Sequence, residues 1–228
     1  MSLIMSLETY EGIVMTADRL STLSYYNEIS QTTDAFPKTY NAQKLFLMRN
    51  GYGLSCCGDS KVSNDMLVEQ FISEEICSKD YGNILPKDIA IEILNIFKTF
   101  NINIILLFCG YYQGHSFIIE INSNLDEPYS YSENVRRGAV IRYGDTKITD
   151  SVLGKNKEGK EEYHYGYQTY RLQDVINLLS FTNLVTAKYQ QFQEVLQTVS
   201  EECDILVLFK NGEHKWIRKN ELSVTFPW

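Results

Sequence analysis

The sequence lacks any long hydrophobic run. Its longest apolar stretch, residues 104–109, has the length of a buried strand, whereas a membrane-spanning helix needs about 18 or more apolar residues. The start of the chain carries neither a positively charged segment nor a long apolar one, so we expect no secretory signal. The sequence therefore predicts a protein with no membrane-spanning segment.

Patterns typical of metal sites and disulfide frameworks are also missing. The three histidines form no ligand spacing, and no CxxC pair occurs. On a strand, the adjacent Cys56 and Cys57 would point to opposite faces, so they could not easily share one tetrahedral metal. We therefore expect reduced, mostly buried thiols in a cytoplasmic protein, with no metal and no other cofactor. The five cysteines are Cys56, Cys57, Cys77, Cys109 and Cys203.

Clusters of lysine and arginine are absent too. The 21 basic and 29 acidic residues give a net charge of −8, which argues against a nucleic-acid partner because such partners need a basic surface. The content of 44% hydrophobic and 22% charged residues is ordinary for a globular protein. No internal repeat or linker divides the chain, so we expect one domain over residues 1–228.

What the sequence does contain is a series of hairpin signals. Residues 2–19 indicate two strands joined by the turn Tyr10-Glu11-Gly12, which would tie the start of the chain into a sheet. Residues 20–41 indicate an extended or looping excursion. Asn50-Gly51 is a strong turn signal between strands at 42–48 and 52–57.

Helical spacing follows in the middle and in the last third of the chain. Gly58-Asp59-Ser60 is predicted to cap a helix, and a second helix is predicted just after Pro86. Hairpins imply antiparallel sheets, and grouped helices imply layers that cover them, which gives an α+β class. The remaining predicted elements are strands at 103–111, 116–121 and 138–143, polar loops at 122–136 and 144–166, a helix or helical pair at 172–199, and a last hairpin at 204–209 and 214–218 around Asn211-Gly212.

Motifs in the first sixty residues carry a family resemblance. Ser2 precedes an apolar strand, a glycine turn, and the strand Val14-Met15-Thr16-Ala17-Asp18. A later strand begins with Lys44-Leu45-Phe46-Leu47-Met48, and the glycine-containing turn Cys57-Gly58-Asp59-Ser60 follows it. In these motifs the chain resembles the proteasome-type N-terminal-nucleophile (Ntn) hydrolases, and among them the proteasome β-subunits. The resemblance implies a four-layer α-β-β-α sandwich.

The same resemblance implies a catalytic site made of Ser2, Asp18 and Lys44. Methionine aminopeptidase would remove Met1, because serine is small, and Ser2 would then carry both the hydroxyl nucleophile and the α-amine. An α-amine has a reference pKa of about 7.7–8.0, so it can accept and return a proton near neutral pH. Lys44 would supply a positive charge beside Ser2, and Asp18 would hold Lys44 in place.

The resemblance also places an oxyanion donor at the backbone N–H of Cys57 or Gly58. Cys57 is an alternative nucleophile, but the sequence places no histidine beside it to act as a base. Three features depart from the family pattern. About ten extra residues lie within 20–41, Tyr143-Gly144 stands where the family has a Ser-Gly pair, and residues 198–202 stand where it has Asp-x-x-Ser-Gly-Gly.

The sequence leaves three functions open. The first is a serine hydrolase that cleaves an amide bond, in a peptide, through an acyl-enzyme at Ser2. The second is a catalytically inactive subunit that serves assembly or binding. The third is an amidase or acyl transferase that acts on a small molecule. The resemblance further implies a homo-oligomer, with a ring as one form, and leaves open whether an ATPase partner exists.

Overall fold

Two five-stranded antiparallel sheets form the centre of the protein in a computed structural model that describes residues 2–27, 32–63, 65–134, 138–153, 156–157, 160–161, 167–193 and 196–220. The strands are β1 (Leu3–Glu8), β2 (Ile13–Asp18), β3 (Ser21–Asn27), β4 (Thr32–Thr39), β5 (Leu45–Leu47), β6 (Gly53–Gly58), β7 (Ile104–Tyr112), β8 (His115–Asn122), β9 (Tyr129–Ser130), β10 (Val140–Gly144), β11 (Asn156–Lys157), β12 (Lys160–Glu161), β13 (Cys203–Leu208) and β14 (His214–Arg218). The helices are α1 (Val68–Phe71), which continues as a π-helix (Ile72–Cys77), α2 (Pro86–Phe100), α3 (Tyr131–Asn134), α4 (Thr149–Leu153) and α5 (Leu172–Phe192), with a 3₁₀ turn at Tyr167–Thr169.

The first sheet has the strand order β10-β1-β2-β13-β14, and the second has the order β5-β6-β7-β8-β9. Strands β3 and β4 pair as a separate hairpin, as do β11 and β12. Because β1 and β2 are inner strands, the start of the described chain is held on both sides by backbone pairing. All twelve residues of β1 and β2 are buried, as expected for strands that are covered on both faces.

Three layers of apolar contacts separate the sheets and helices. Between the sheets, Ile4 and Met15 of the first sheet share a core with Leu107 of the second. On the outer side of the second sheet, the α2 stripe that contains Ile93 packs onto it. On the outer side of the first sheet, the α5 stripe that contains Leu179 packs in the same way. The four-layer α-β-β-α prediction is therefore confirmed.

The predicted N-terminal hairpin, the helix after Pro86 and the last hairpin are also confirmed. Gly51 and Gly212, at the two predicted Asn-Gly turns, both have positive φ, which is the backbone geometry that such turns require. No helix among the described residues is long and apolar enough to cross a bilayer.

The excursion predicted over residues 20–41 contains two extended strands, β3 and β4, which pair as a hairpin, consistent with the high strand propensity of their threonine and tyrosine residues. Residues 28–31 of this segment lie outside the described residues. One prediction near the second sheet is wrong. Asp59 does not cap a helix, since α1 begins only at Val68. The Asp59 carboxylate and N–H instead bond the backbone of Asn103, at 2.8 Å each, and fasten the end of β6 to the start of β7.

Short elements account for most of the other differences. The polar loops predicted at 122–136 and 144–166 contain β9 with α3, and α4 with β11 and β12, each too short to show a periodicity. Residues 135–136 of the first loop, and 154–155, 158–159 and 162–166 of the second, lie outside the described residues. The helix predicted over 172–199 ends at Phe192, and residues 196–202 are not helical.

Candidate active site

The Asp18 carboxylate lies at the end of β2, is fully buried, and accepts four hydrogen bonds. Its Oδ1 accepts one from the Leu3 N–H at 2.8 Å and one from the Lys44 ammonium at 2.9 Å. Its Oδ2 accepts from the N–H groups of Leu20, at 2.8 Å, and Ser200, at 3.4 Å. Through these bonds the Asp18 carboxylate connects the start of β1 with Lys44, just before β5, and with Ser200, near the end of the chain.

Lys44 lies one residue before β5 and is 7% exposed. Its Nζ also donates to the carbonyl of Leu20, so the ammonium has two oxygen partners in a site that water hardly reaches. Its own carbonyl accepts from the N–H of Cys56 at 2.9 Å, which fixes the backbone of Lys44 against β6. The ammonium is therefore held in one place instead of moving freely at the surface.

Ser2 is 5% exposed and is held through its backbone. Its carbonyl accepts from the N–H of Asp145 at 2.8 Å, just beyond the end of β10. The preceding Gly144 has φ +101°, and a Cβ there would lie 1.7 Å from the Ser2 carbonyl oxygen. Only glycine allows this close approach, so Gly144 and Asp18 together determine where the first residues lie.

A cleft of about 380 Å³ opens beside Ser2. Lys44, Cys57 and Gly58 line it together with Ser2, and Asp18 lies buried behind Lys44. The structure thus brings all five residues singled out from the sequence to one place. A hydroxyl, an ammonium group and the backbone at the end of β6 adjoin the same space.

Gly58 ends β6 with φ +131°, and a Cβ there would lie 2.2 Å from the carbonyl oxygen of Asn103. The neighbouring Cys57 thiol is buried, and burial raises its pKa to about 12, although the nearby Lys44 charge acts in the opposite direction. Because the thiolate is the reactive form, Cys57 is a poor nucleophile at neutral pH.

The segment 198–202, which has no match to the family motif, nevertheless supports Asp18. Ser200 Oγ accepts from the N–H of Arg19 at 2.7 Å, and the Ser200 N–H reaches Asp18. The α5 residue Asn183 holds this segment by donating to the carbonyls of Ser200, at 2.8 Å, and Glu201, at 3.1 Å. Ser200 thus positions the strand end next to Asp18.

A second network holds Asp145, the residue that contacts Ser2. Its carboxylate accepts from Gln190 Nε2 at 2.7 Å and from Thr198 Oγ1 at 3.0 Å. The Gln190 carbonyl oxygen accepts from the N–H groups of Thr198 and Val199. Sequence reasoning missed Gln190 and Asn183. One indication of them was present in the sequence. Helical spacing places these two side-chain amides on the buried side of α5.

Arg19 was also missed. Its guanidinium bonds the Asp204 carboxylate through Nε at 2.9 Å and Nη2 at 2.8 Å, and Nη1 pairs with Glu202 at 2.7 Å. Burial raises the pKa of Asp204, and the Arg19 charge partly offsets that effect. This ion pair joins the end of β2 to the start of β13.

The Tyr143 hydroxyl, on β10, donates to the buried carboxylate of Glu120. Tyr131 donates to the same carboxylate oxygen at 3.2 Å. Burial raises the pKa of Tyr143 well above its usual value, so its hydroxyl stays protonated and remains a donor. Among the described residues, no group of three histidine, cysteine, aspartate or glutamate side chains is placed to hold a metal ion.

Comparison with known proteins gives no family assignment from sequence. No protein-family model matches. Curated relatives include histidinol-phosphate aminotransferase 2 of Bacillus cereus and of Bacillus anthracis, each 21% identical over 149 residues. The match covers 64% of this chain but only 40% of the length of those relatives.

Solved structures show the fold. A (Gly-1) mutant of Anbu from Hyphomicrobium sp. strain MC1 matches with a TM-score of 0.64 and 14% identity, over 97% of this chain and 89% of that one. Anbu (ancestral beta-subunit) from Yersinia bercovieri matches with a TM-score of 0.60 and 11% identity, over 96% and 88%.

The assignment to the proteasome β-subunit family, which the sequence resemblance suggested, is wrong in the light of these comparisons. No family model supports it, and the structures that match are Anbu proteins at 14% and 11% identity. Those identities show a fold and not a family. The chain therefore has the proteasome-like Ntn fold that the Anbu proteins share.

Proposed function

We propose that this protein is an N-terminal serine hydrolase that cleaves an amide bond, in a peptide substrate, through an acyl-enzyme at Ser2. The observation that carries the proposal is the buried Asp18 carboxylate. It holds the Lys44 ammonium at 2.9 Å and the backbone of Leu3, the residue after Ser2, at 2.8 Å. A single group therefore places a cation and the first residues of the chain beside one cleft.

The proposed reaction uses the two groups that Ser2 would carry after Met1 is removed. The hydroxyl of Ser2 attacks the carbonyl carbon of the substrate, while the α-amine takes the hydroxyl proton. The resulting ammonium gives this proton to the leaving amine when the C–N bond breaks, which leaves an ester at Ser2. Water then attacks the ester by the same route, and the carboxylic acid leaves.

Lys44 and the end of β6 have separate roles in this proposal. The Lys44 ammonium disfavours protonation of the neighbouring amine and so helps to keep it in its basic form. A backbone N–H of Cys57 or Gly58, at the cleft wall, would donate to the oxyanion that forms during attack. The raised pKa of Cys57 supports Ser2, and not this thiol, as the nucleophile.

The proposal is tested by mass spectrometry with a peptide that carries an electrophilic carbonyl group. We expect the purified protein to lack Met1 and to form one covalent adduct, which maps to Ser2. Ser2→Ala keeps a small residue at this position but removes the hydroxyl, so the adduct should disappear.

Ser6→Ala provides a matched control, since it removes another buried hydroxyl from β1, the strand that begins just after Ser2. We expect this variant to form the adduct at the wild-type rate. A protein that retains Met1, or one that turns over substrate without an adduct at Ser2, would contradict the proposal.

A second candidate function is assembly, as a subunit of a homo-oligomer. The observation that favours it is an exposed apolar face on α5, where Phe181 is 55% and Phe192 81% exposed. The Yersinia neighbour is described as a beta-subunit. Light scattering should show an oligomer for the wild type and a smaller species for Phe192→Glu. Gln173→Glu, at the other end of α5, should not change the mass, and a monomeric wild type would rule this candidate out.

A further inference from the structure

Glu120 is a buried carboxylate that lacks a positively charged partner among the described residues. It lies on β8 and is 7% exposed. Its Oε2 accepts from the hydroxyls of Tyr143 and Tyr131, and its Oε1 accepts from Asn122 Nδ2 at 3.1 Å. No ion pair joins it to a lysine or arginine of the described chain, so three neutral donors solvate its charge.

Burying a carboxylate in this way costs free energy, and proteins keep such groups where a charge is used. The Tyr143 hydroxyl is a dependable donor, because burial raises the pKa of this phenol. Tyr131 comes from α3 and Tyr143 from β10, so two elements are ordered around one carboxylate. This arrangement indicates that Glu120 is held in place as a negative charge, and that its burial is not incidental.

The strand register places this cluster next to the start of the chain. Tyr143 pairs directly with Ile4, and paired residues have their side chains on the same face. Ile4 faces the core between the sheets, and Ser2, two residues earlier, lines the cleft beside Cys57, a residue of the same core. Glu120 pairs with Leu107, which belongs to the same core, so Glu120 enters this layer from the opposite sheet.

The electrostatics agree with this placement. Glu120 raises the pKa of Cys57, while Lys44 lowers it, so both charges act on a residue that lines the cleft with Ser2. Asp18, the carboxylate that bonds Lys44, is already occupied by that ammonium. Glu120 is thus a carboxylate near the cleft for which the described residues provide no counter-charge.

We propose that Glu120, held by Tyr131 and Tyr143, is the counter-charge of the α-ammonium of Ser2 and a positioning residue for it. The proposal rests on the proposed function in one respect, that Ser2 becomes the first residue. The amine would then lie between a positive charge and a negative one. Several titratable and charged groups surround it. Those that line the cleft with Ser2 are Lys38 from β4, Lys44 before β5, Cys56 and Cys57 from β6, Asp59 after β6 and Glu69 from α1. The others are Asp18 from β2, Glu120 from β8, Tyr131 from α3, Tyr143 and Asp145 from β10 and its end, and, behind Asp18, the Arg19, Glu202 and Asp204 cluster.

The two charges have opposite effects on the amine. Lys44 favours the neutral amine, whereas Glu120 favours the ammonium, so the balance between them sets the pH at which the amine becomes a base. Removing the charge at Glu120 should lower the pKa of the amine by about one unit. The acidic limb of any pH–rate profile at Ser2 should move to lower pH by the same amount.

Competitive labelling with acetic anhydride measures this pKa without requiring catalysis. The full-length protein is labelled over a pH series, and the acetylated N-terminal peptide is quantified by mass spectrometry. We expect the midpoint for Glu120→Gln to lie about one pH unit below that of the wild type. Glu8→Gln is the matched control, because Glu8 is also 7% exposed but lies at the other end of β1, about 20 Å from Ser2 at about 3.3 Å per residue.

Tyr143→Phe keeps the test valid if Glu120→Gln does not fold, since it leaves the carboxylate in place and removes only one donor. Its midpoint should change by a smaller amount, because Tyr143 holds the carboxylate in place without carrying the charge itself. Unchanged midpoints in the folded variants, or an equal shift in Glu8→Gln, overturn the proposal. A wild type that forms no adduct but shows the shift contradicts the hydrolase function alone, whereas an adduct without the shift contradicts the Glu120 role alone. Retention of Met1 overturns both.

Discussion

Removing either partner of the Asp18–Lys44 pair is expected to destabilise the protein strongly. The Asp18 side chain is fully buried and that of Lys44 is 9% exposed, so the remaining charge cannot be solvated by water. Breaking a buried ion pair in this way costs about 3–5 kcal/mol in the free energy of unfolding. For a chain of this size the melting temperature should fall by roughly 6–20 °C.

The two substitutions should not be equivalent. Lys44→Met leaves the Asp18 carboxylate with the N–H groups of Leu3, Leu20 and Ser200, so its cost should lie near about 3 kcal/mol. Asp18→Asn leaves the Lys44 ammonium with the carbonyl of Leu20 as its remaining charge-stabilising partner, so its cost should approach about 5 kcal/mol.

A double-mutant cycle separates the pair from its surroundings. Urea unfolding of the wild type, both single variants and the double variant should give a coupling energy of about 2–3 kcal/mol, because the double variant leaves no unpaired charge. Lys79→Met is the control, since the Lys79 and Glu92 side chains are 48% and 34% exposed, and it should cost less than about 1 kcal/mol. Additive single effects, or a cost for Asp18→Asn no greater than for the control, would refute the reasoning.

Three further predictions concern the surroundings of the site. Gly144→Ala should cost more than about 3 kcal/mol in unfolding free energy, because its Cβ would meet the Ser2 carbonyl at 1.7 Å, whereas Gly212→Ala, also at positive φ but with open space around it, should cost about 1 kcal/mol. Gln190→Ala removes four hydrogen bonds at Asp145, Thr198 and Val199 and should lower the urea midpoint by the equivalent of about 2–4 kcal/mol, while the exposed neighbour Gln191→Ala should change it little. Stability should fall as pH rises above about 8.5, because unfolded cysteines ionise there while burial raises the pKa of the folded thiols, and each thiol should contribute about 1.4 kcal/mol of loss by pH 9.5. Cys109→Ala should reduce that slope, and a flat urea midpoint between pH 8 and 9.5 would contradict the thiol explanation.

The layers of the fold were predictable because they depend on patterns that are strong within a short window. The hairpin of residues 2–19, the two Asn-Gly turns and the stripe of α2 are local signals, and each is in place in the structure. The β3–β4 hairpin was missed because its polar threonines, serines and tyrosines carry no clear alternation of apolar side chains. Elements of two to five residues, such as β9 and α4, are too short for any periodicity to appear.

Asp18 and Lys44 lie together beside the start of the first strand, as the resemblance of the motifs led us to expect, and their catalytic roles stay a prediction. The residues that support the candidate site could not be predicted in the same way. Glu120 reaches the site from a strand that sequence order places far away, and Gln190 acts from the buried side of α5. Their roles depend on which strands become neighbours, and that is a property of the three-dimensional arrangement.

The inner position of β1 and β2 also has a consequence for the order of events during synthesis. Strand β1 pairs with β10, and β2 pairs with β13, while Arg19 meets Asp204 across 185 residues of sequence. At about 5–20 residues per second, a ribosome needs roughly 10–40 s to make the later partner after the earlier one. During that time the twelve apolar-rich residues of β1 and β2 lack β10 and β13, the strands that flank them in the folded sheet.

This delay makes the first hairpin both vulnerable and accessible. It is vulnerable because unpaired strands that wait for distant partners are prone to aggregate. The same interval is when an aminopeptidase can still reach the start of the chain, because Ser2 is only 5% exposed once β10 and the segment after it are in place. We therefore expect the excision of Met1 that the proposed function requires to take place on the nascent chain.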